Sequence, residues 1–150
     1  MGKLYLVKNM TDNNLKFARQ ELEMTQTELG YIFGVSGSTI AGWENGHDII
    51  PLTKLVKFSN LYGYSLDYLT GLKRVNVKHG KIDKPDKNKI GNKLRNLRKQ
   101  LNLTQQQVAN ECMISQTTYS NYELGNYLIT SLALYTICKN HKLSMDNLLK

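Results

Sequence analysis

The stretch MTQTELGYIFGVSGSTIAGWENG, Met24 to Gly46, sets two short helical patterns around a tight turn, and LTQQQVANECMISQTTYSNYELG repeats it at an offset of 79 residues. Each copy begins with a capping box, Thr25-x-x-Glu28 and Thr104-x-x-Gln107. In such a box the threonine hydroxyl accepts from a free backbone amide, and the Glu or Gln side chain reaches back to the cap. A helix therefore starts at Gln26 and at Gln105. It is short, because FGVSG and CMISQ place a turn about eight residues later, where Ser36 and Ser115 stand ready to cap the next helix. That helix stops at Gly46 or Gly125, residues that enter the left-handed region at little cost.

The same repeat extends outward on both sides. Leu15, Ala18 and Leu22, like Leu94, Leu97 and Leu101, follow helical spacing and predict an amphipathic helix ahead of each box. A fourth helix is expected after Pro51 or Thr130, over Leu55, Phe58 and Leu61 or over Leu134 and Ile137. Ser65 and Ser144 then cap a last short helix, LDYLTG or MDNLLK. Identical pairs at the constant offset include Asn13/Asn92, Arg19/Arg98, Gln26/Gln105, Thr39/Thr118, Glu44/Glu123, Ile50/Ile129, Leu55/Leu134 and Asp67/Asp146. Duplication of one domain explains this, and about sixty residues can bury a small core. The expected organisation is an N-terminal strand at 1–11, a first domain at 12–72, a basic linker at 73–89 and a second domain at 90–150.

Charge separates the halves. Of the net +8, residues 12–71 carry four basic and seven acidic side chains, while residues 72–150 carry fourteen basic and five acidic. The run from Lys73 to Lys89 is strongly positive, and cations so placed can neutralise phosphates. No run of 18 apolar residues is present and the first residues have too short an apolar core for a signal peptide, so a cytoplasmic location away from membranes is expected. Cys112 and Cys138 lack CxxC spacing and read as buried thiols of a reducing compartment. His47, His79 and His141 have no recurring acid or nucleophile beside them, so no enzymatic activity, metal or cofactor is expected.

Two stretches stand outside the helical pattern. KLYLVK, Lys3 to Lys8, is apolar and β-prone, and KRVNVK, Lys73 to Lys78, alternates Val75 and Val77 with polar residues. A strand needs a partner, so residues 3–8 are expected to pair antiparallel with 73–78 in a small central β element between two domains related by pseudo-two-fold symmetry.

Five helices with a tight turn between the second and third form a helix-turn-helix domain. TQTELG, VSGSTIAGWENG and YSLDYLTG resemble the marks of the Cro/C1 (XRE)-type repressor domain, and both copies carry the pattern. The departures are local: Gly30 stands where Ala109 keeps the family's small alanine, and Gly37 stands where Gln116 keeps its glutamine. The resemblance implies a mainly α fold. It also implies an internal ion pair in each copy, Arg19 with Glu44 and Arg98 with Glu123, in which loss of one partner leaves a poorly compensated charge. Trp43 and Tyr122 are expected in the core.

The third helix of this fold lies in the major groove, where amide side chains can pair two-fold with adenine. Copy two offers Gln116, Thr117, Thr118, Ser120 and Asn121. Copy one offers Gly37, Ser38, Thr39, Gly42 and Asn45, with the small Ala41 between them. Gln26 and Gln105 resemble the family's phosphate-binding glutamines, and Lys93 is expected on phosphate as well. Copy two thus reads as a full reader of bases, and copy one as a clamp on backbone and shape.

The expected function is sequence-specific binding of double-stranded DNA by a monomer acting as an internal dimer, on sites about one helical turn, roughly 34 Å, apart. Proteins of this build serve as transcription regulators. The chain is also similar in size and architecture to the small TraN-type accessory proteins of Gram-positive conjugative plasmids, which bind near a transfer origin or regulate transfer genes, and protein partners in such a regulatory or transfer complex are a further expectation. The rival expectation is an antitoxin-like interaction module with weak DNA binding.

Overall fold

A computed structural model of the chain describes residues 12–78 and 80–150. Among them are ten helices and no strand: α1 Leu15–Glu21, α2 Gln26–Phe33, α3 Gly37–Asn45, α4 Leu52–Tyr62, α5 Leu66–Thr70, α6 Lys87–Gln100, α7 Gln105–Glu111, α8 Gln116–Glu123, α9 Ser131–His141 and α10 Met145–Leu149. They divide into two compact units, one ending at Lys81 and one running from Ile82 to Lys150.

Local chemistry accounts for most of these boundaries. The Thr25 hydroxyl accepts from the Glu28 amide at 3.0 Å, and the Glu28 carboxylate accepts from the Thr25 amide at 3.4 Å. Thr104 and Gln107 do the same at 3.1 and 2.8 Å. Ser36, Ser115, Ser65 and Ser144 each accept from the amide three residues on. A cap of this kind is worth about 1 kcal/mol, a large share of what holds a helix of five to nine residues together. α6 begins at Lys87 because the Asp86 carboxylate accepts from the Asn88 and Lys89 amides at 2.8 and 3.1 Å.

The two units share a backbone plan and differ inside. α2 ends at Gly34 in the left-handed region with φ 68°, and the equivalent position after α7 is Met113 at φ 57°. The N-terminal unit buries Leu15, Leu29, Phe33, Ile40, Trp43, Leu55, Phe58 and Leu66. Rings run in a chain through it, with Phe58 against Phe33, Tyr62 and Tyr64 at centroid distances of 6.1, 5.0 and 5.8 Å, and Tyr64 against Tyr68 at 5.9 Å. The Tyr64 hydroxyl donates to Glu21 at 2.6 Å, and burial followed by that bond raises its pKa to about 12. The C-terminal unit packs Leu94, Val108, Tyr119, Tyr122, Leu134, Ile137 and Met145 instead. Where the first unit has Ile32 and Tyr62, the second has Glu111 and His141, whose Nε2 lies 3.1 and 2.9 Å from the two carboxylate oxygens.

The expected β pairing is corrected by this structure. Residues 3–8 lie outside the described residues, and residues 73–78 form no strand. Asn76 explains why. Its Oδ1 accepts from the Ser65 amide at 2.7 Å and its Nδ2 donates to the Gly63 carbonyl at 3.1 Å, so the segment is tied by a side chain to the turn between α4 and α5. Lys73 adds a backbone bond to the Asp67 carbonyl at 3.0 Å. Val75 and Val77, whose alternation suggested a strand, are both exposed. Among the described residues the fold is α-helical, with no strand for the expected central pairing.

Candidate nucleic-acid interface

Burial on the third helix of each unit decides which side chains can meet a ligand. α3 turns Ile40, Trp43 and Glu44 inward, and α8 turns Tyr119, Tyr122 and Glu123 inward. By helical geometry the outer stripe of α3 is then Ser38, Ala41, Gly42 and Asn45, and that of α8 is Thr117, Ser120, Asn121 and exposed Leu124, with Gln116 at the first position of α8 beside it. Gln116 and Thr117 are exposed, while Ser120 and Asn121 are half-buried.

Behind each stripe lies an ion pair. Arg19 donates to Glu44 through Nε at 2.6 Å and through Nη2 at 3.1 Å, and its Nη1 donates to the Met24 carbonyl at 2.8 Å. Arg98 repeats this on Glu123 at 2.7 and 3.0 Å and on the Leu103 carbonyl at 3.0 Å. Each pair ties the first helix to the third and to the loop before the second. The glutamate side chains are 2% and 3% exposed, so the two-pronged guanidinium bond is what makes their charge tolerable. The hydrogen bond to the carboxylate raises the pKa of both arginines. Burial on its own would raise the Glu123 carboxyl; hydrogen bonds from Arg98, Tyr119 and Gln105 outweigh it and hold the pKa below the usual carboxylate range.

Gln26 and Gln105 join these networks. Gln26 Nε2 donates to Glu44 at 3.0 Å and Gln105 Nε2 to Glu123 at 3.2 Å. Each sits at the first position of the second helix, so the ion pair orients the amide at a helix N-terminus, where backbone amides favour an anion. Tyr119 has no counterpart in the first unit, where Ile40 stands. Burial, then its bond to Glu123, raises its pKa.

Several expected contact residues are already engaged within the protein. The Ser38 and Thr39 hydroxyls each lie 3.0 Å from Ser36 Oγ, and Thr118 Oγ1 lies 2.9 Å from Ser115 Oγ. A Cβ at Gly37 would stand 3.0 Å from Thr27 Oγ1, so the glycine lets α3 lie close on α2. At Gly42 the place of a Cβ is taken by the Asp48 carboxylate. Asn121 Oδ1 accepts from Asn126 Nδ2 at 2.9 Å. Lys93 Nζ reaches the Lys150 carbonyl at the end of α10. Asn45 remains exposed at the end of α3.

Two cations of the acidic unit serve the fold. Lys54 Nζ donates to the Phe33 carbonyl at 3.0 Å and Lys57 Nζ to the Ile32 carbonyl at 3.1 Å, closing the last turn of α2. Cys138 is buried, and burial followed by the charge of Glu111 raises the Cys112 pKa to about 12, which keeps that thiol protonated. Among the described residues no group of three or more His, Cys, Asp or Glu is placed to hold a metal ion, and no helix is long and apolar enough to cross a membrane. Sequence reading missed Asp48, Tyr119 and Asn126. Asp48 and Asn126 follow the glycine or leucine that ends the third helix, and only the backbone return to Gly42 or Asn121 brings them onto its outer stripe.

No curated protein and no solved structure matches the chain. Family models do. One described as helix-turn-helix matches residues 15–69, and a second described as helix-turn-helix domain matches residues 91–150. These spans coincide with the two five-helix units, so the chain consists of two helix-turn-helix domains in tandem, a DNA-binding build of the Cro/C1 type.

Proposed function

We propose that the chain is a sequence-specific binder of double-stranded DNA whose two domains act together on one duplex as an internal dimer. The observation that carries this is the outer stripe of α8. Thr117, Ser120 and Asn121 lie on the side of α8 away from buried Tyr119, Tyr122 and Glu123, and exposed Gln116 opens the helix, beside a helix N-terminus whose Gln105 donates to Glu123. Amides and hydroxyls in that arrangement suit base edges, while Gln26, Gln105 and Lys93 suit phosphates. The basic second half supplies attraction, and linking it to the first domain raises the effective concentration of the second contact. Gly37, Ser38, Thr39, Gly42, Asn45 and Thr118 complete the proposed contact surface.

The biological setting is a regulatory one, either control of transcription at an operator or assistance to plasmid transfer near a transfer origin with protein partners. Selection of bound duplexes from a random pool, followed by footprinting, tests the reading. One enriched site protected over two adjacent segments, with affinity falling by about a thousandfold or more between roughly 50 and 200 mM salt, is the expected result. Weak binding that ignores sequence and salt would instead favour an antitoxin-like interaction module.

A further inference from the structure

The outer stripe of α3 looks empty by residue type, because Ala41 and Gly42 offer nothing that can pair with a base. Its centre is nevertheless occupied. The chain leaves α3 at Gly46 and turns back, with the amides of His47 and Asp48 donating to the Gly42 carbonyl at 2.9 and 3.2 Å. This return lays the Asp48 carboxylate over Gly42, in the space any other residue's Cβ would fill. Gly42 lies on the face opposite Ile40, Trp43 and Glu44, so the carboxylate stands on the part of α3 turned furthest from the core.

Stability does not explain this placement. The last turn of α3 carries no basic residue, and no cation lies within ion-pair distance of Asp48 among the described residues. A carboxylate at the negative end of a helix is opposed by the macrodipole. The C-terminal domain solves the same position with the opposite polarity. There Asn121 replaces Gly42, and its Oδ1 accepts from Asn126 Nδ2, which leaves Nδ2 as the donor end of the Asn121 amide.

We infer that Asp48 is the specificity-determining residue of the N-terminal domain, accepting a hydrogen bond from the exocyclic amino group of cytosine in the major groove. The inference rests on the reading of α3 as a groove-facing helix. Cytosine is favoured over adenine because adenine sets the N7 acceptor beside its amino group, where a carboxylate is repelled, whereas cytosine N4 is a donor without an acceptor on the same base. A carboxylate acceptor on one domain and an amide donor on the other require unlike half-sites, so the target is not a palindrome.

Selection from a random duplex pool with the full chain and with Asp48→Ala, Asp48→Asn and Gln116→Ala tests this. Asp48 is exposed, and far-ultraviolet circular dichroism with Trp43 fluorescence checks that each variant is folded. The expected result is two unlike half-sites. Asp48→Ala relaxes preference at one cytosine by about tenfold, Asp48→Asn moves that step toward adenine, and both leave the other half-site intact. Overturning the inference would take Asp48 variants that enrich the wild-type sequence with every duplex merely bound more tightly, the signature of phosphate repulsion. In that case Gln116→Ala still altering the other half-site leaves the reading of the protein standing. No enriched duplex with the unaltered chain ends both.

Discussion

Arg98 grips Glu123 with two parallel bonds, Nε to one carboxylate oxygen at 2.7 Å and Nη2 to the other at 3.0 Å. Because the carboxylate side chain is 3% exposed, removing the arginine strands a charge away from water. Arg98→Ala is expected to destabilise the C-terminal domain by about 3 kcal/mol, toward the low end for a buried pair since the guanidinium is partly wetted. Urea denaturation followed by circular dichroism measures it, and Trp43, the one tryptophan, reports the N-terminal domain separately. A fall in both domains together would contradict the assignment.

The same pair gives the C-terminal domain a pH dependence of known sign. The Glu123 pKa in the folded state is held below its ordinary value, so the unfolded chain takes up the proton first as pH falls. The stabilisation is fully present above the usual carboxylate range and disappears as pH drops through the folded value. Glu123→Gln should lower stability at neutral pH and flatten the slope between about pH 5 and pH 3. An unchanged slope in that variant would assign the acid sensitivity elsewhere.

Gly30 is expected to resist enlargement although its counterpart is Ala109. A Cβ there would meet the Val35 carbonyl oxygen at 2.5 Å and the Ser36 carbonyl carbon at 3.1 Å, both backbone atoms of the turn into α3. Gly30→Ala should therefore cost about 1 to 3 kcal/mol by forcing α2 and α3 apart. Trp43 fluorescence during urea unfolding reads this directly, and a neutral result would mean that the turn relaxes freely.

Met113 holds the left-handed conformation that Gly34 adopts in the other domain. Because a side chain there is strained against its own carbonyl, Met113→Gly should stabilise the C-terminal domain by about 1 kcal/mol. Met113 is 55% exposed, so little packing is lost. A drop in melting temperature would show that the methionine contributes more than its exposure suggests.

Restoring an amide to the N-terminal domain makes a functional test. Gly37→Gln places on α3 the residue that Gln116 places on α8, at the expense of a tight Cβ contact with the Thr27 hydroxyl. On the proposed reading the variant gains preference at one further base step by roughly tenfold, measured by competition between single-step variants of the selected duplex. Unchanged selectivity with the domain folded would place that end of α3 out of reach of base edges.

What the sequence disclosed was local. Thr25 with Glu28, Thr104 with Gln107, and the serines at 36, 65, 115 and 144 mark helix starts because a cap acts over three residues. Arg19 with Glu44 was reachable only through resemblance, since 25 residues separate them. The failure at 73–78 has the same cause. Val75 and Val77 carry a strand's alternation, while the group that decides the conformation is Asn76, bonded 11 and 13 residues back. The proposed binding surface was legible where residue type sufficed, as at Gln116, and illegible where a chain reversal brings a side chain onto the helix, as at Asp48.

The unlike interiors of the two domains bear on how the chain avoids exchanging parts. Halves with one backbone plan invite swapping of equivalent helices during folding, a known failure of tandem repeats. If α4 docked in place of α9, the Tyr62 ring would arrive where His141 meets Glu111, leaving that carboxylate enclosed and unanswered. If α9 took the place of α4, Phe33 and Tyr64 would meet Ile137 in place of Phe58, and an imidazole would stand in place of the Tyr62 ring. Divergence of the cores is thus expected to penalise exchange of helices between the halves.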